Sequence, residues 1–413
     1  MNRLIRYAIV LVLSLWIYTP LFAQKKNFDY NFYGFIRGDW YYNSRQNTDA
    51  VDGLFYLFPK KKELDPNGND LNANPNGSFY TFTTRLGLDI KGPDIGSAKS
   101  SAKIETDFGG SSAGGYFMLR IRQAYAKLDW NNGSSVLLGQ TWHPFFGDVM
   151  PQVLNLSTGA PFQPFQRSPQ LRYQYTTDKW KMQASAIYQL IYMSTGPYGK
   201  TENYQKNGIW PELSIGVDYT HQGFLVGAGA EMLSLKPRII SEVENKIYSV
   251  DERITTLSFE AHAKYSQRLL YVAGKALLTA NMNHAAVIGG YGVSDIDPVT
   301  GEQKYTPFRH ATVWVNAVYG SRWQGGIFGG YTKNLGTSKA LVTNDKIYGL
   351  GMDLDQLLTA STQISYNLPH WKIGIEYQAT NGRFGDTDLS NGKIKNTNDV
   401  TNHRIFALFM YYF

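Results

Sequence analysis

The 413-residue chain has no cysteine. Disulfides, thiolate metal centres and a lipid anchor on an N-terminal cysteine are therefore all excluded. Long apolar runs are missing too. The most hydrophobic stretch, Tyr7 to Ile17, is shorter than the about 20 apolar residues that a spanning helix needs. Histidine is scarce: the seven present never adopt a spacing such as His-x-x-x-His, so no metal ligand set is expected. Gly-x-Gly occurs, as in Gly227-Ala228-Gly229, but within a β-rich segment and not at the strand-to-helix turn of a nucleotide site. No cofactor and no nucleic-acid partner is expected.

What is abundant is aromatic residues and glycine, with 29 Tyr, 22 Phe, 9 Trp and 40 Gly, while mean hydropathy is only -0.32. That combination suits alternating strands, aromatic girdles and polar loops. Basic residues exceed acidic ones by 40 to 33, a mild excess whose location matters more than its size. Arg3 and Arg6 precede the apolar run, and Leu21-Phe22-Ala23 offers a cleavage site before Gln24. Residues 1–23 thus read as a signal peptide, and 24–413 as one exported domain.

Sixteen segments show period-2 alternation or β-rich composition, near 28–43, 79–91, 100–108, 117–130, 134–141, 169–177, 179–189, 211–220, 223–236, 255–267, 269–282, 310–319, 322–333, 359–368, 370–380 and 403–413. Each has about the 9–11 residues of a tilted membrane strand. Their connections alternate between tight and long. Asn131 to Gly133, Asp178, Gln222, Arg268, Ser321 and Pro369 mark tight turns; polar stretches near 44–78, 142–168, 190–210, 237–254, 283–309, 334–358 and 381–402 are long. The expected fold is all-β: a transmembrane antiparallel up-and-down barrel of about 16 strands, with short periplasmic turns and long extracellular loops. It would sit in the bacterial outer membrane with lipid around it.

The two faces of the strands separate. Tyr80, Phe82, Leu86, Leu88 and Ile90 alternate with Thr81, Thr83, Arg85, Asp89 and Lys91; Ile104 and Phe108 alternate with Lys103, Glu105 and Asp107; Trp371, Ile373, Ile375 and Tyr377 alternate with Lys372, Glu376 and Gln378. An unpaired Lys or Arg facing lipid at mid-membrane costs about 2–4 kcal/mol, so the charged row is assigned to the lumen.

Two features point to a pore. The connection at 142–168 is rich in Pro, Gly and aromatics and poor in charge. It is expected to pack against protein, either by folding into the lumen or at a subunit interface; in the first case Trp142, Phe145, Phe146, Phe162 and Phe165 narrow the pore. Beside it, Arg37, Arg85, Lys103, Arg120, Arg122, Arg167, Arg172 and Lys275 fall on the inward row. Guanidinium groups stay charged and offer a planar fork of donors suited to carboxylate oxygens, and rings of Arg and Lys select anions. Pairing with Asp39, Asp89, Glu105 and Asp107 would instead stiffen the wall, but the bases outnumber those acids.

Phe117-Met118-Leu119-Arg120-Ile121-Arg122-Gln123-Ala124-Tyr125, Leu138-Gly139-Gln140-Thr141-Trp142 and Arg167-Ser168-Pro169-Gln170-Leu171-Arg172-Tyr173 resemble the central signature of the DcaP-like trimeric porins. The resemblance implies a sixteen-stranded homotrimeric outer-membrane porin that passes small anions, including dicarboxylates. By that match Arg120, Arg122, Arg167 and Arg172 form its arginine-lined constriction. Members of that family can carry an N-terminal coiled coil. Only Gln24 to Asn27 separate the expected cleavage site from the first strand here, so neither heptads nor a plug domain is expected.

Weaker signals are read as structural. Asp65, Asn67, Asn69 and Asp70 imitate a calcium loop, but Asp70 and Asn76 stand where Gly and Glu belong. His262, on one face with Glu260 and Lys264, reads as a pore-lining polar residue. No motif picks out an oriented serine nucleophile, so a passive channel is the leading reading. An outer-membrane hydrolase and an adhesin with a closed lumen are the alternatives.

Overall fold

The computed structural model describes residues 28–50, 55–110 and 118–413. The expected signal peptide at 1–23 and Phe117 of the arginine-bearing motif lie outside the described residues.

The chain forms a closed antiparallel barrel of 16 strands. The first half comprises β1 (Asp29–Asn43), β2 (Asn76–Tyr80 continuing as Arg85–Lys91), β3 (Ala98–Gly110), β4 (Met118–Trp130), β5 (Ser134–Trp142), β6 (Arg167–Thr176), β7 (Trp180–Ile187) and β8 (Glu212–His221). The second comprises β9 (Phe224–Leu235), β10 (Ile254–Gln267), β11 (Leu270–Ala280), β12 (Gln303–Gly320), β13 (Trp323–Thr337), β14 (Leu354–Asn367), β15 (Trp371–Thr387) and β16 (Ile394–Tyr412). Closure is direct, because β1 pairs with β2 on one side and with β16 on the other, from Phe35↔Tyr412 to Asn43↔Arg404. No backbone edge is then left to lipid, which offers no hydrogen bonds.

The tight turns fall where expected, and two of them need positive φ outside glycine, at Gln222 (φ 48) and Arg268 (φ 49). Around that rim the strand ends carry paired aromatic rings facing outward. Examples are Trp180 with Tyr219 at 4.9 Å, Phe224 with Tyr265 at 4.5 Å, Trp323 with Tyr366 at 4.8 Å and Trp371 with Tyr411 at 4.6 Å. Such a girdle marks one membrane interface. Between the rims Ile104, Ile373, Ile375, Tyr377, Ile405 and Phe409 are exposed to the bilayer.

Three expectations need correction. Tyr80 and Phe82 do not face lipid. Asp39 pairs with Tyr80 and Phe35 with Arg85, so four steps along β1 span five along β2. The extra residue in the Thr81–Thr84 break flips the phase, placing both rings inside the barrel, stacked at 4.4 Å. Second, the last strands run further toward the loop side than hydrophobic alternation reveals. At Arg383↔Asp399 both partners are polar, and the two side chains pair at 3.1 Å. Third, the first long connection is not uniformly polar, because Phe55–Pro59 forms a buried hairpin strand in the barrel mouth.

The apolar core of this fold lies in the lumen. Val149, Leu154, Ala160 and Phe162 pack there with wall residues Trp314, Phe328, Leu357 and Phe406.

Candidate pore constriction

Residues 143–166 leave β5 and cross the lumen before returning to β6. Their main-chain groups find partners on strand after strand of the wall. The Gln152 amide donates to Asn316 Oδ1 on β12 at 2.7 Å, and the Leu154 amide to Gln363 Oε1 on β14 at 2.7 Å. The amides of Leu154 and Asn155 and the Thr158 hydroxyl all donate to the Glu376 carboxylate on β15. In the other direction Arg37 donates to the Leu154 carbonyl at 2.7 Å, Trp314 Nε1 to Gln163 Oε1 at 3.0 Å and Lys264 to the Asp148 carbonyl at 3.0 Å. A loop buried in a barrel must satisfy its backbone this way.

Glycines of the wall receive its apolar side chains. A Cβ on Gly330 of β13 would lie 2.7 Å from the Phe162 ring, and one on Gly374 of β15 would lie 2.5 Å from Leu154 Cδ1. These glycines are dents into which the loop fits.

Opposite the loop, strand register brings the charged row together. Arg120 takes Asp107 with both fork nitrogens, at 2.9 and 2.8 Å. Arg122 reaches Glu105 at 2.8 Å and Asp107 at 2.7 Å. Arg85 lies 3.8 Å from Glu105, with its guanidinium 4.9 Å from the Phe35 ring centre. Arg122 stands at a β-bulge, since Glu105 pairs with Gln123 while Thr106 pairs with Ile121; bulges re-aim side chains in this way.

Arg85, Arg120 and Arg122 line a cavity of about 260 Å³ between the wall and the loop. Trp142, Phe146, Phe165 and Phe55 complete it with Met150, Pro151 and Val153. Phe55 was missed by sequence reading; the apolar run Phe55-Tyr56-Leu57-Phe58 inside a polar loop is the signal that could have found it.

Two further arginines adjoin this group and form no ion pair among the described residues. The Arg167 guanidinium is 4.8 Å from the Trp142 ring centre, 5.9 Å from that of Phe165 and 5.7 Å from that of Tyr192. It donates to the Tyr192 hydroxyl at 2.6 Å, while its Nε and Nη1 make no hydrogen bond among the described residues. Arg172 donates to Gln170 Oε1 at 2.7 Å and to the Trp142 carbonyl. Among the described residues, five arginines (Arg85, Arg120, Arg122, Arg167, Arg172) stand around the cavity against two ion-paired carboxylates (Glu105, Asp107), three more positive charges than the acids they bind, with Asp148 acting on Arg172 from beyond ion-pair distance.

The remaining predicted residues lie elsewhere. Arg37 pairs with Asp39 at 2.8 Å and holds the loop tip. Lys103 pairs with Asp89 at 2.6 Å and donates to the Tyr33 hydroxyl at 2.9 Å. Lys275 is buried under the loop, where it donates to the Phe145 and Phe146 carbonyls, and the loop's own Phe145 and Phe162 are fully buried and not at the cavity. His262 bridges Glu260 at 2.9 Å and Asp218 at 3.0 Å on the inner wall. The Asp65 and Asp70 carboxylates are engaged within their own loop, by Asn67, Asn69, Glu63, Asn72 and Arg45.

A family model for the DcaP outer membrane protein matches residues 19–248, more than half of the chain and the part that carries the arginine group. The chain belongs to the DcaP outer membrane protein family. It is an outer-membrane channel barrel of the porin type. Among solved structures, the outer membrane channel DcaP of Acinetobacter baumannii superposes with a TM-score of 0.69 at 20% identity, covering 94% of this chain and 98% of that one. OmpT of Vibrio cholerae reaches 0.56 at 12% identity (95% and 99% covered), and OmpF of Salmonella typhi, in complex with daunomycin, 0.52 at 13% (93% and 97% covered). At these identities the likeness speaks for the fold. No curated protein sequence matches the chain.

Proposed function

We propose that this DcaP-family barrel is a passive, non-enzymatic diffusion porin that prefers small anions, carboxylates and dicarboxylates among them, and works as a homotrimer in the outer membrane. The observation that carries the anion preference is the excess of arginine at the constriction. Asp39, Asp89, Glu105 and Asp107 are all taken up in ion pairs, yet among the described residues Arg167 and Arg172 form none. Under the low-dielectric walls of a narrow lumen an unmatched charge raises the local concentration of counter-ions, and a planar guanidinium meets a carboxylate with two parallel donors.

The trimer rests on two supports. The outward faces of β3 to β6 are apolar, with Ile104, Leu119, Ile121, Leu138 and Leu171 exposed, and V. cholerae OmpT, a structural neighbour with a TM-score of 0.55, has a trimer form. Light scattering on the detergent-purified protein tests the assembly.

Selectivity is tested by the reversal potential of the purified channel in a planar bilayer under a KCl gradient, repeated with a dicarboxylate replacing chloride. A potential on the chloride side, with the dicarboxylate carrying or blocking current, supports the reading. Cation preference would overturn it, and absence of conductance would favour the hydrolase or adhesin alternatives.

A further inference from the structure

The cavity beside the arginine group has four aromatic rings in its lining, Trp142, Phe146, Phe165 and Phe55. The first three belong to the lumen loop and its root, and they brace one another. Trp142 stacks on Phe146 with ring centres 3.9 Å apart, and Phe165 meets Trp142 at 4.9 Å and Phe146 at 5.8 Å. Phe55 comes from elsewhere. It lies in the first long connection, on the strand Phe55–Pro59 of a short hairpin whose other strand is Asn47–Ala50.

Several contacts moor this hairpin at the loop-side end of the wall. The Tyr56 ring lies 5.6 Å from the Arg404 guanidinium, and Arg404 stands opposite Asn43, the last residue of β1. Phe58 packs on Phe384 of β15 at 6.4 Å. At the base of the hairpin the Lys60 amide donates to the Gln46 carbonyl at 3.1 Å, and Arg45 donates to the Lys60 carbonyl at 3.0 Å while pairing with Asp70 at 3.1 Å. Successive side chains of a strand point to opposite faces. With Tyr56 and Phe58 turned to the wall and buried there, Phe55 turns to the lumen. It meets the Phe165 ring edge-on at 4.7 Å and lines the cavity from the loop side.

The lining divides by task. Arg85, Arg120 and Arg122 are held by Glu105 and Asp107 and carry the charge. The rings carry none, and what they fix is width. A ring facing guanidinium groups across a narrow passage also strips water from one side of a passing anion, and the arginine forks on the other side replace it. Phe55 touches the ring group at Phe165, so truncating it leaves the three mutually packed rings in place.

Resting on the porin reading above, we infer that Phe55 sets the size limit at the arginine cavity, with the first-loop hairpin acting as a second narrowing element beside the lumen loop. Charge is selected at the arginines and size at Phe55.

The test compares purified wild type, F55A and F55W in a planar bilayer, in potassium chloride and in potassium gluconate, whose anion is bulkier. F55A should raise the gluconate-to-chloride conductance ratio about twofold or more and F55W lower it by as much, because pore diameter governs the passage of bulky solutes. The KCl reversal potential should stay at its wild-type value in both. Opposite shifts mark a width, since a mere loss of packing moves both variants the same way. Equal ratios in the three proteins, or shifts of one sign, would overturn the inference. Should either variant fail to assemble, F55C decides, because the chain has no other cysteine. Labelling it with the anionic reagent sulfonatoethyl methanethiosulfonate should cut the chloride current by about half or more, and a labelled channel with full current would overturn the inference. Wild type without conductance would overturn the porin reading and this inference together. A cation-preferring wild type whose variants still shift oppositely would overturn the anion preference and support the size limit.

Discussion

Replacing Glu376 with alanine removes the acceptor that holds the tip of the lumen loop against the far wall. The carboxylate is 1% exposed and receives the Leu154 amide at 2.8 Å, the Asn155 amide at 2.9 Å and the Thr158 hydroxyl. Leu154 keeps a second acceptor in Gln363, so the variant strands two buried donors, the Asn155 amide and the Thr158 hydroxyl. Each costs about 1–3 kcal/mol, or about 2–6 kcal/mol for the latch. The middle of that range is a factor of about a thousand in the local equilibrium between a seated and an unseated tip. Glutamine behaves differently. Its carbonyl can take the place of Oε2 and the Thr158 hydroxyl can turn to accept from its amide, so only the charge assistance is lost, about 1 kcal/mol per bond.

The remaining anchors, at Asn316, Trp314, Lys264 and Arg37, keep the rest of the loop in place. Single-channel recording should therefore show rapid current flicker in E376A, little in E376Q, and a folded barrel in both. Equal noise in wild type and E376A, with the barrel intact, would refute the latch.

Replacing Arg120 and Arg122 together with alanine cuts the local excess from three positive charges to one. A unit charge one Debye length away, about 8 Å at 0.15 M salt, is worth about 0.2 kcal/mol after screening. Two charges acting oppositely on anion and cation then shift the permeability ratio about fourfold toward cations, and an unchanged reversal potential would mean that neither residue faces the permeation path. Gly330→Val should push Phe162 off its seat, since even a Cβ would lie 2.7 Å from a fully buried ring. Overpacking of about 1–3 kcal/mol should appear as altered conductance, and wild-type conductance would count against the seat. Asp39→Ala leaves the buried Arg37 guanidinium without its carboxylate and should cost about 3–5 kcal/mol in urea unfolding; a second change, Arg37→Met, should recover most of it.

Much of the barrel is legible because lipid on one side and water on the other force period-2 alternation, and because β-turns on one rim are short. Residues such as Ile373, Ile375 and Tyr377 against Glu376 and Gln378 carry that signal without ambiguity. It fails where its cause is missing. Above the membrane both faces of the β15–β16 ladder meet water, so Arg383 and Asp399 pair across strands that alternation does not reveal. At Thr81–Thr84 a single inserted residue reverses the faces, and nothing in the composition of that stretch announces it.

The arginine group beside the loop is legible in kind but not in pairing. That arginines gather beside an aromatic loop can be read from positions 120, 122, 167 and 172. Which of them is neutralised depends on register, and here register gives Asp107 to Arg120 and Arg122 together while leaving Arg167 among the rings of Trp142, Phe165 and Tyr192. Stacking keeps a guanidinium in place without cancelling its charge, so an aromatic setting and a carboxylate setting have opposite consequences for an anion. The field of the pore thus follows from the arrangement of a few rings around one arginine more than from the count of basic residues.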